Sequence, residues 1–260
     1  MADDLEPLHT HADHPQALDW SVQNLQKYGV LQLHHVQSQD KIKAFNTQAE
    51  SILHTVTAAL QAKQLDYTHQ TTAFSFSDVA SRDRGRLDVK YNTEQFTSLV
   101  EHPLIQSIVR SVLGNDCALS MSGIVYSLPG SVPQAWHRDG GHLTPSDCTA
   151  PAHALTVFCP LLDVSSGLGS PQFIPGTHVM SDEDCNSADH RVAQFEPFLS
   201  TDCIIFDYRL LHRGMPNTCT DNTTRPLFYC VFTKNGYTDQ HNFGTEPLLE
   251  VVKATNATAE

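Results

Sequence analysis

Between Gln39 and Ala62 the apolar residues Ile42, Phe45, Ala49, Ile52, Val56 and Leu60 recur every three or four positions. That is the period of one helix face, and it predicts an amphipathic helix over 39–62. Upstream, residues 15–28 read as a shorter helix that opens at Pro15 and stops before Gly29, and Val30 to His34 read as a strand. A second helical region is expected over 93–113, with Pro103 in a first turn and Gly114 as the stop. The stretch 68–92 between them, dense in both charges, reads as loop. After Gly114 the texture changes. Segments 117–127, 134–139, 153–162, 170–175, 192–197, 202–209 and 226–234 are short, rich in Val, Ile, Phe, Tyr, Thr and Cys, and punctuated by Pro, Gly, Asn and Asp. Many short punctuated strands indicate a sandwich or barrel. The expected organisation is one domain over 15–260, with helical support at 15–114, a β-core at 115–235 and a tail at 236–260. Residues 1–14 are expected to be disordered.

Composition narrows the class without naming it. With 40% hydrophobic and 17% charged residues in 260, this is ordinary globular composition. The net charge of −13 argues against nucleic acid or an anionic membrane as partner. No apolar run approaches the roughly 18 residues that span a bilayer, and the acidic start MADDLEPLHTHADH resembles neither a secretory signal nor a transit peptide. A cytoplasmic, intracellular location is expected. The odd count of 7 cysteines, without a C-x-x-C pair, fits free thiols better than a disulfide framework. Cys159, Cys203 and Cys230 read as small buried hydrophobes.

The candidate chemistry lies in the β-rich half. His137-Arg138-Asp139 places two ligand types two residues apart, so on a strand both would point to one face with Arg138 turned away. His212, arriving from a distant strand, would complete a two-histidine, one-carboxylate set that leaves three positions open on a non-heme Fe(II). Arg225, downstream, has the planar fork to clamp a dicarboxylate bidentately. H-R-D also opens the kinase catalytic loop, but Thr144 stands where that motif needs Asn, and no Gly-rich loop accompanies it.

W-H-R-D-G-G-H (136–142), F-I-P-G-T-H (173–178) and F-D-Y-R-L-L-H-R-G-M-P-N (206–217) together resemble the phytanoyl-CoA dioxygenase family, over roughly residues 15–235. The resemblance implies a double-stranded β-helix, a cupin-like jelly roll, and Fe(II), 2-oxoglutarate and O2 as cofactor and co-substrates. It implies that His137, Asp139 and His212 bind iron, that Arg225 pairs with the distal carboxylate of 2-oxoglutarate, and that Gln134 hydrogen-bonds the same molecule. Relatives often carry Thr two residues before the Phe of F-I-P-G-T-H; here that position is Pro171, and Ser170 or Thr156 is expected to substitute. The carboxylate of Asp139, where family halogenases have a small residue, points to hydroxylation or desaturation of a small molecule, with release of succinate and CO2. The rival classes are a non-catalytic jelly-roll binding protein that keeps a structural metal, and a cupin-type metalloenzyme that does not use 2-oxoglutarate. The substrate and the oligomeric state are left open.

Other residues have simpler readings. His142, His153, His178 and His190 are expected to be structural or exposed, as are His9, His11 and His14 in the N-terminal stretch. Trp136 is expected in the core and Arg213 in a structural ion pair. The segment 81–91, with Arg82, Arg84, Arg86 and Lys90 among Asp83 and Asp88, is either a solvated loop or a lid or pocket wall facing a polar group.

Overall fold

A computed structural model describes residues 8–69, 73–91, 97–144, 146–187, 190–238 and 243–249. Strands β1 (His9–His11) and β2 (Val30–His34) flank helix α1 (Ala17–Tyr28), and α2 (Gln39–Ala62) follows. Then come β3 (Phe74–Ser75), β4 (Val79–Ser81), β5 (Arg86–Lys90), α3 (Thr97–Val100), α4 (Pro103–Leu113) and β6 (Ala118–Ser127). The remainder is β7 (Ala154–Pro160), β8 (Gln172–Phe173), α5 (Asp182–Ser187), β9 (Ala193–Gln194), β10 (Cys203–Asp207), β11 (His212–Arg213) and β12 (Arg225–Thr233).

The helices end where their residues dictate. Gly29 takes φ 76° and its N–H caps the carbonyl of Leu25, a left-handed conformation that costs glycine little. Pro103 opens α4 with its missing donor at a position that needs none.

Nine strands form one sheet in the order β1-β2-β10-β7-β12-β6-β5-β4-β3, and β11-β8-β9 form a small second sheet. Strand alternation divides the large sheet. Phe228, Cys230 and Phe232 of β12, with Leu87, Val89, Ile124, Val157 and Ile205, join the apolar faces of α1, α2 and α4 in the main core. Tyr126 reinforces that seam by donating to the α2 carbonyl of Ala49 at 2.7 Å. The opposite face carries Arg225, Leu227, Tyr229 and Val231, and it meets the second sheet through Phe173, Phe206 and Leu227. Two sheets facing each other with helices packed outside one of them is the expected jelly roll. No described helix is long and apolar enough to cross a membrane.

Several local expectations are corrected. Residues 8–14, expected to be disordered, include β1, which pairs parallel with β2; residues 1–7 lie outside the described set. The expected loop 68–92 contains β4 and β5, because Arg86-Leu87-Asp88-Val89-Lys90 alternates polar and apolar and can zip onto β6. The expected strand 134–139 is reduced to one bridge, His137 with His212. The helical region 93–113 is two helices, and 92–96 lie outside the described residues. Part of the expected tail packs: Leu248 is buried, and the N–H groups of Leu248 and Leu249 donate to Asp78.

Candidate metal centre

His137 and His212 face each other across the antiparallel bridge, with N–H to carbonyl distances of 3.0 and 2.9 Å. Each imidazole uses Nδ1 on a backbone carbonyl two residues upstream, His137 on Ala135 at 2.9 Å and His212 on Leu210 at 3.1 Å. With Nδ1–H donating there, the lone pair is left on Nε2. This is how metal-ligating histidines are generally oriented. Asp139 is set by its N–H on the Tyr208 carbonyl at 3.1 Å and by the Thr156 hydroxyl, which donates to its Oδ2 at 3.2 Å. Its Oδ1 lies 3.5 Å from His212 Nε2. One ligand atom from each of His137, Asp139 and His212 lies within 4.8 Å of the other two. Burial lowers the pKa of His212 to about 4, with His137 adding to the effect and Asp139 opposing it, so the ring is neutral at pH 7. Two imidazoles, one carboxylate and an open side suit a divalent cation with further ligands of its own.

The histidine–aspartate pair shares a face as expected, but a single bridge and a loop achieve this instead of a continuous strand. Arg138 points away and binds the carbonyls of Thr177 and Met180 and the carboxylate of Asp182.

The triad opens onto a cavity of about 410 Å³. Arg225, 1% exposed, reaches into it from the start of β12. Its terminal nitrogens donate to the carbonyls of Leu168 and Gly169 and to Ser127 Oγ, and its Nε, fully buried, has no partner among the described residues. Arg86 lies beside it and donates to the same Ser127 Oγ at 2.6 Å. The register explains the meeting, since Ser127 pairs with Arg225 on one side and with Arg86 on the other. Burial pushes both arginines down, Arg225 to about 9 with Arg86 contributing, and Arg86 to about 10 against the pull of Asp83. Both are still cations at neutral pH. Two adjacent buried cations and an orphaned guanidinium N–H fit an anionic ligand. Gln134 also lines the cavity; its Nε2 donates to Asp83 at 2.9 Å and its Oε1 accepts from Gly214 at 3.0 Å. Gly214 leaves room for both side chains. A Cβ would lie 2.6 Å from Gln134 Oε1 and 2.7 Å from Arg86 Nη1.

Thr156 lines the cavity but spends its hydroxyl on Asp139. Ser170, expected as an alternative co-substrate contact, is corrected: it is buried outside the cavity lining and donates to the Phe195 carbonyl. Arg86 belongs to the pocket-wall alternative for 81–91; its place beside Arg225 on Ser127 was not expected, and the clue to it is the period-two alternation of 86–90. Of the segment 81–91, Arg84 is exposed, and Arg86 and Asp88 form pocket wall. His142, His153, His178 and His190 are absent from the lining, and His178 bonds the Gln26 carbonyl. Trp136 is half-buried rather than core. Arg213 makes no ion pair among the described residues; it stacks over Trp136 at 4.4 Å and binds Gln172.

A jelly roll holding an open two-histidine, one-carboxylate site next to a cationic pocket defines a non-heme metal oxygenase type of centre. Residues 25–226 match the family profile described as Phytanoyl-CoA dioxygenase (PhyH). The chain belongs to this family. A dioxygenase of Aspergillus aculeatus, AneA, is 27% identical over 137 residues, 50% of this chain and 46% of AneA, so the match spans under half of that relative. Among solved structures, the epimerase SnoN of nogalamycin biosynthesis superposes with TM-score 0.62 at 16% identity, covering 90% of this chain and 96% of SnoN. HygX of Streptomyces hygroscopicus, solved with nickel and 2-oxoglutarate, gives 0.58 at 12% identity, covering 85% and 89%. These likenesses establish the shared fold.

Proposed function

We propose that the chain oxidises a small organic molecule, by hydroxylation or desaturation, and converts 2-oxoglutarate to succinate and CO2 in the same turnover. The observation that carries this reading is the buried Arg86–Ser127–Arg225 row beside the open metal triad. A structural metal site has no need of an adjacent cationic pocket, and neither does a cupin enzyme that dispenses with the oxo acid. HygX binding of 2-oxoglutarate and SnoN binding of Fe3+ and α-ketoglutarate support it by analogy.

His137, Asp139 and His212 would hold Fe(II), and Arg225 would receive the distal carboxylate of 2-oxoglutarate. When bound, the iron and the oxo acid would supply the chemistry that activates O2. The protein supplies position and environment. The backbone carbonyls of Ala135 and Leu210 hold the two imidazoles as Nε2 ligands. Thr156 holds one carboxylate oxygen of Asp139 and so leaves the other to the metal. Phe158, Leu227 and Val231 line the cavity with apolar surface, which keeps water from the reacting carbon.

The test is anaerobic titration of the Fe(II)-loaded protein with 2-oxoglutarate. The expected result is a visible metal-to-ligand charge-transfer band in the wild type and none in His212→Ala. A wild type that binds Fe(II) and develops no band would refute the reading.

A further inference from the structure

The cavity wall also carries a carboxylate that the chemistry above does not use. Arg86 and Asp88 share one face of β5, and Leu87 and Val89 on the other face join the main core. Asp88 pairs in register with Val125 of β6, which pairs with Leu227 of β12; all three line the cavity. Tyr229 sits one step further along β12, opposite Gly123. A side chain at 123 would block it, since a Cβ there would lie 2.7 Å from the Tyr229 hydroxyl and 2.5 Å from the Val89 carbonyl. The glycine lets the phenol lie across β6 and donate to Asp88 Oδ1 at 2.9 Å. The second oxygen of Asp88 receives no hydrogen bond from any described residue, and Asp88 lines the cavity.

The other cavity carboxylates are engaged. Asp139 belongs to the metal triad and Asp83 accepts from Gln134. Arg82, exposed at the rim, draws on Asp88 through space, and Asp139 repels it. A half-buried carboxylate with one neutral donor is poorly compensated. A neutral hydroxyl from a ligand would add a second weak donor, whereas a protonated nitrogen would also cancel the charge. The cavity that Asp88 lines has much apolar wall, Met121, Val125, Leu227, Val231 and Phe243, beside the charged Arg82 and Arg86.

We infer that Asp88 and Tyr229 form a substrate anchor, and that the substrate is a protonated amine on an apolar skeleton, held with its nitrogen on Asp88. The inference rests on the oxygenase reading for the identity of the cavity and deepens it by giving the substrate class.

The test uses the full chain, as isolated and again with Mn(II) and 2-oxoglutarate. Three amines, benzylamine, cyclohexylmethylamine and n-hexylamine, are titrated calorimetrically beside the three corresponding alcohols and benzoate. At least one amine should bind roughly tenfold to hundredfold more tightly than its alcohol, the worth of a charge-assisted hydrogen bond. Asp88→Asn keeps the acceptor for Tyr229 and removes the charge. It should erase the preference by weakening the amine alone, and Asp88→Glu should restore part of it. The inference is overturned if no amine outbinds its alcohol, if benzoate binds best, or if Asp88→Asn leaves the preference intact. Should Asp88→Asn not fold, the wild-type comparison of amine, alcohol and carboxylate decides. Binding of 2-oxoglutarate is read in the same samples without amine, so its loss counts against the oxygenase reading and not against the anchor.

Discussion

Replacing Arg225 with lysine keeps a positive charge in the cavity and removes its planar fork. Arg225 satisfies the Leu168 and Gly169 carbonyls and Ser127 Oγ with two terminal nitrogens. A lysine ammonium has one nitrogen and cannot meet all three while facing a ligand. Losing one or two hydrogen bonds to neutral acceptors costs about 1–3 kcal/mol of stability. For 2-oxoglutarate, a bidentate charged contact is reduced to a point charge, a loss of about 1.5–3 kcal/mol, or roughly a tenfold to hundredfold weaker Kd. The assay is anaerobic titration of the Fe(II)-loaded variant with 2-oxoglutarate, next to a metal titration without it. The co-substrate Kd should rise by that factor and the metal affinity should hold, because Arg225 contacts none of the three ligands. An unchanged Kd for 2-oxoglutarate would refute the clamp. An equal loss in metal affinity would show that the variant had disturbed the whole site.

Further outcomes follow from the same geometry. His137→Ala, Asp139→Ala or His212→Ala should each weaken Mn(II) or Fe(II) binding at least tenfold by calorimetry with the far-ultraviolet dichroism kept; undiminished affinity removes that residue from the centre. Arg86→Ala should weaken 2-oxoglutarate binding roughly tenfold or more, since it removes one of two buried cations, whereas exposed Arg84→Ala should leave it unchanged; equal effects would return the segment 81–91 to a solvated surface. Burial raises the pKa of Asp88 to about 6, with Asp139 adding to it and Tyr229 and Arg82 opposing. The folded state therefore binds more protons than the unfolded chain between the ordinary carboxylate value and about 6, and stability falls as pH rises through that window. Asp88→Asn should raise the melting temperature at pH 8, by the equivalent of about 1–2 kcal/mol after allowing for solvent screening, and have little effect at pH 4. A stabilisation that is the same at both pH values would contradict this.

The metal triad was legible because its information is local. His137 and Asp139 stand two apart, and His212 sits in a long motif with its own texture. Their shared face comes from a single bridge and the Tyr208 carbonyl instead of the continuous strand that the two-residue spacing suggests. Arg225 was legible as a candidate clamp, and it does line the cavity; its adjacency to Arg86 was not legible. Arg86 lies in a run of mixed charges that reads equally as solvated loop or pocket wall, and only the register with Ser127 brings it to Arg225. Gly214 and Gly123 were silent for a related reason. Their importance comes from what crosses them, Arg86 with Gln134 in one case and Tyr229 in the other, and such crossings are set by pairing between distant strands. Ser170 was misplaced because its neighbour Pro171 faces the cavity, and adjacent residues in extended chain face opposite ways. The short strand β1 was missed because its polar residues gave no apolar stripe.

On the reading proposed above, the triad and the cationic row together run an iron- and 2-oxoglutarate-dependent oxidation. The most direct measurement is succinate formed from 2-oxoglutarate by the purified chain, with Fe(II) and O2 each present or withheld, in the wild type and in Asp139→Ala. Succinate and CO2 are expected in equal amounts only when both Fe(II) and O2 are present, and none above the blank in the variant. Succinate formation that persists without iron, that proceeds as fast in Asp139→Ala, or that is absent from an iron-loaded wild type would contradict it.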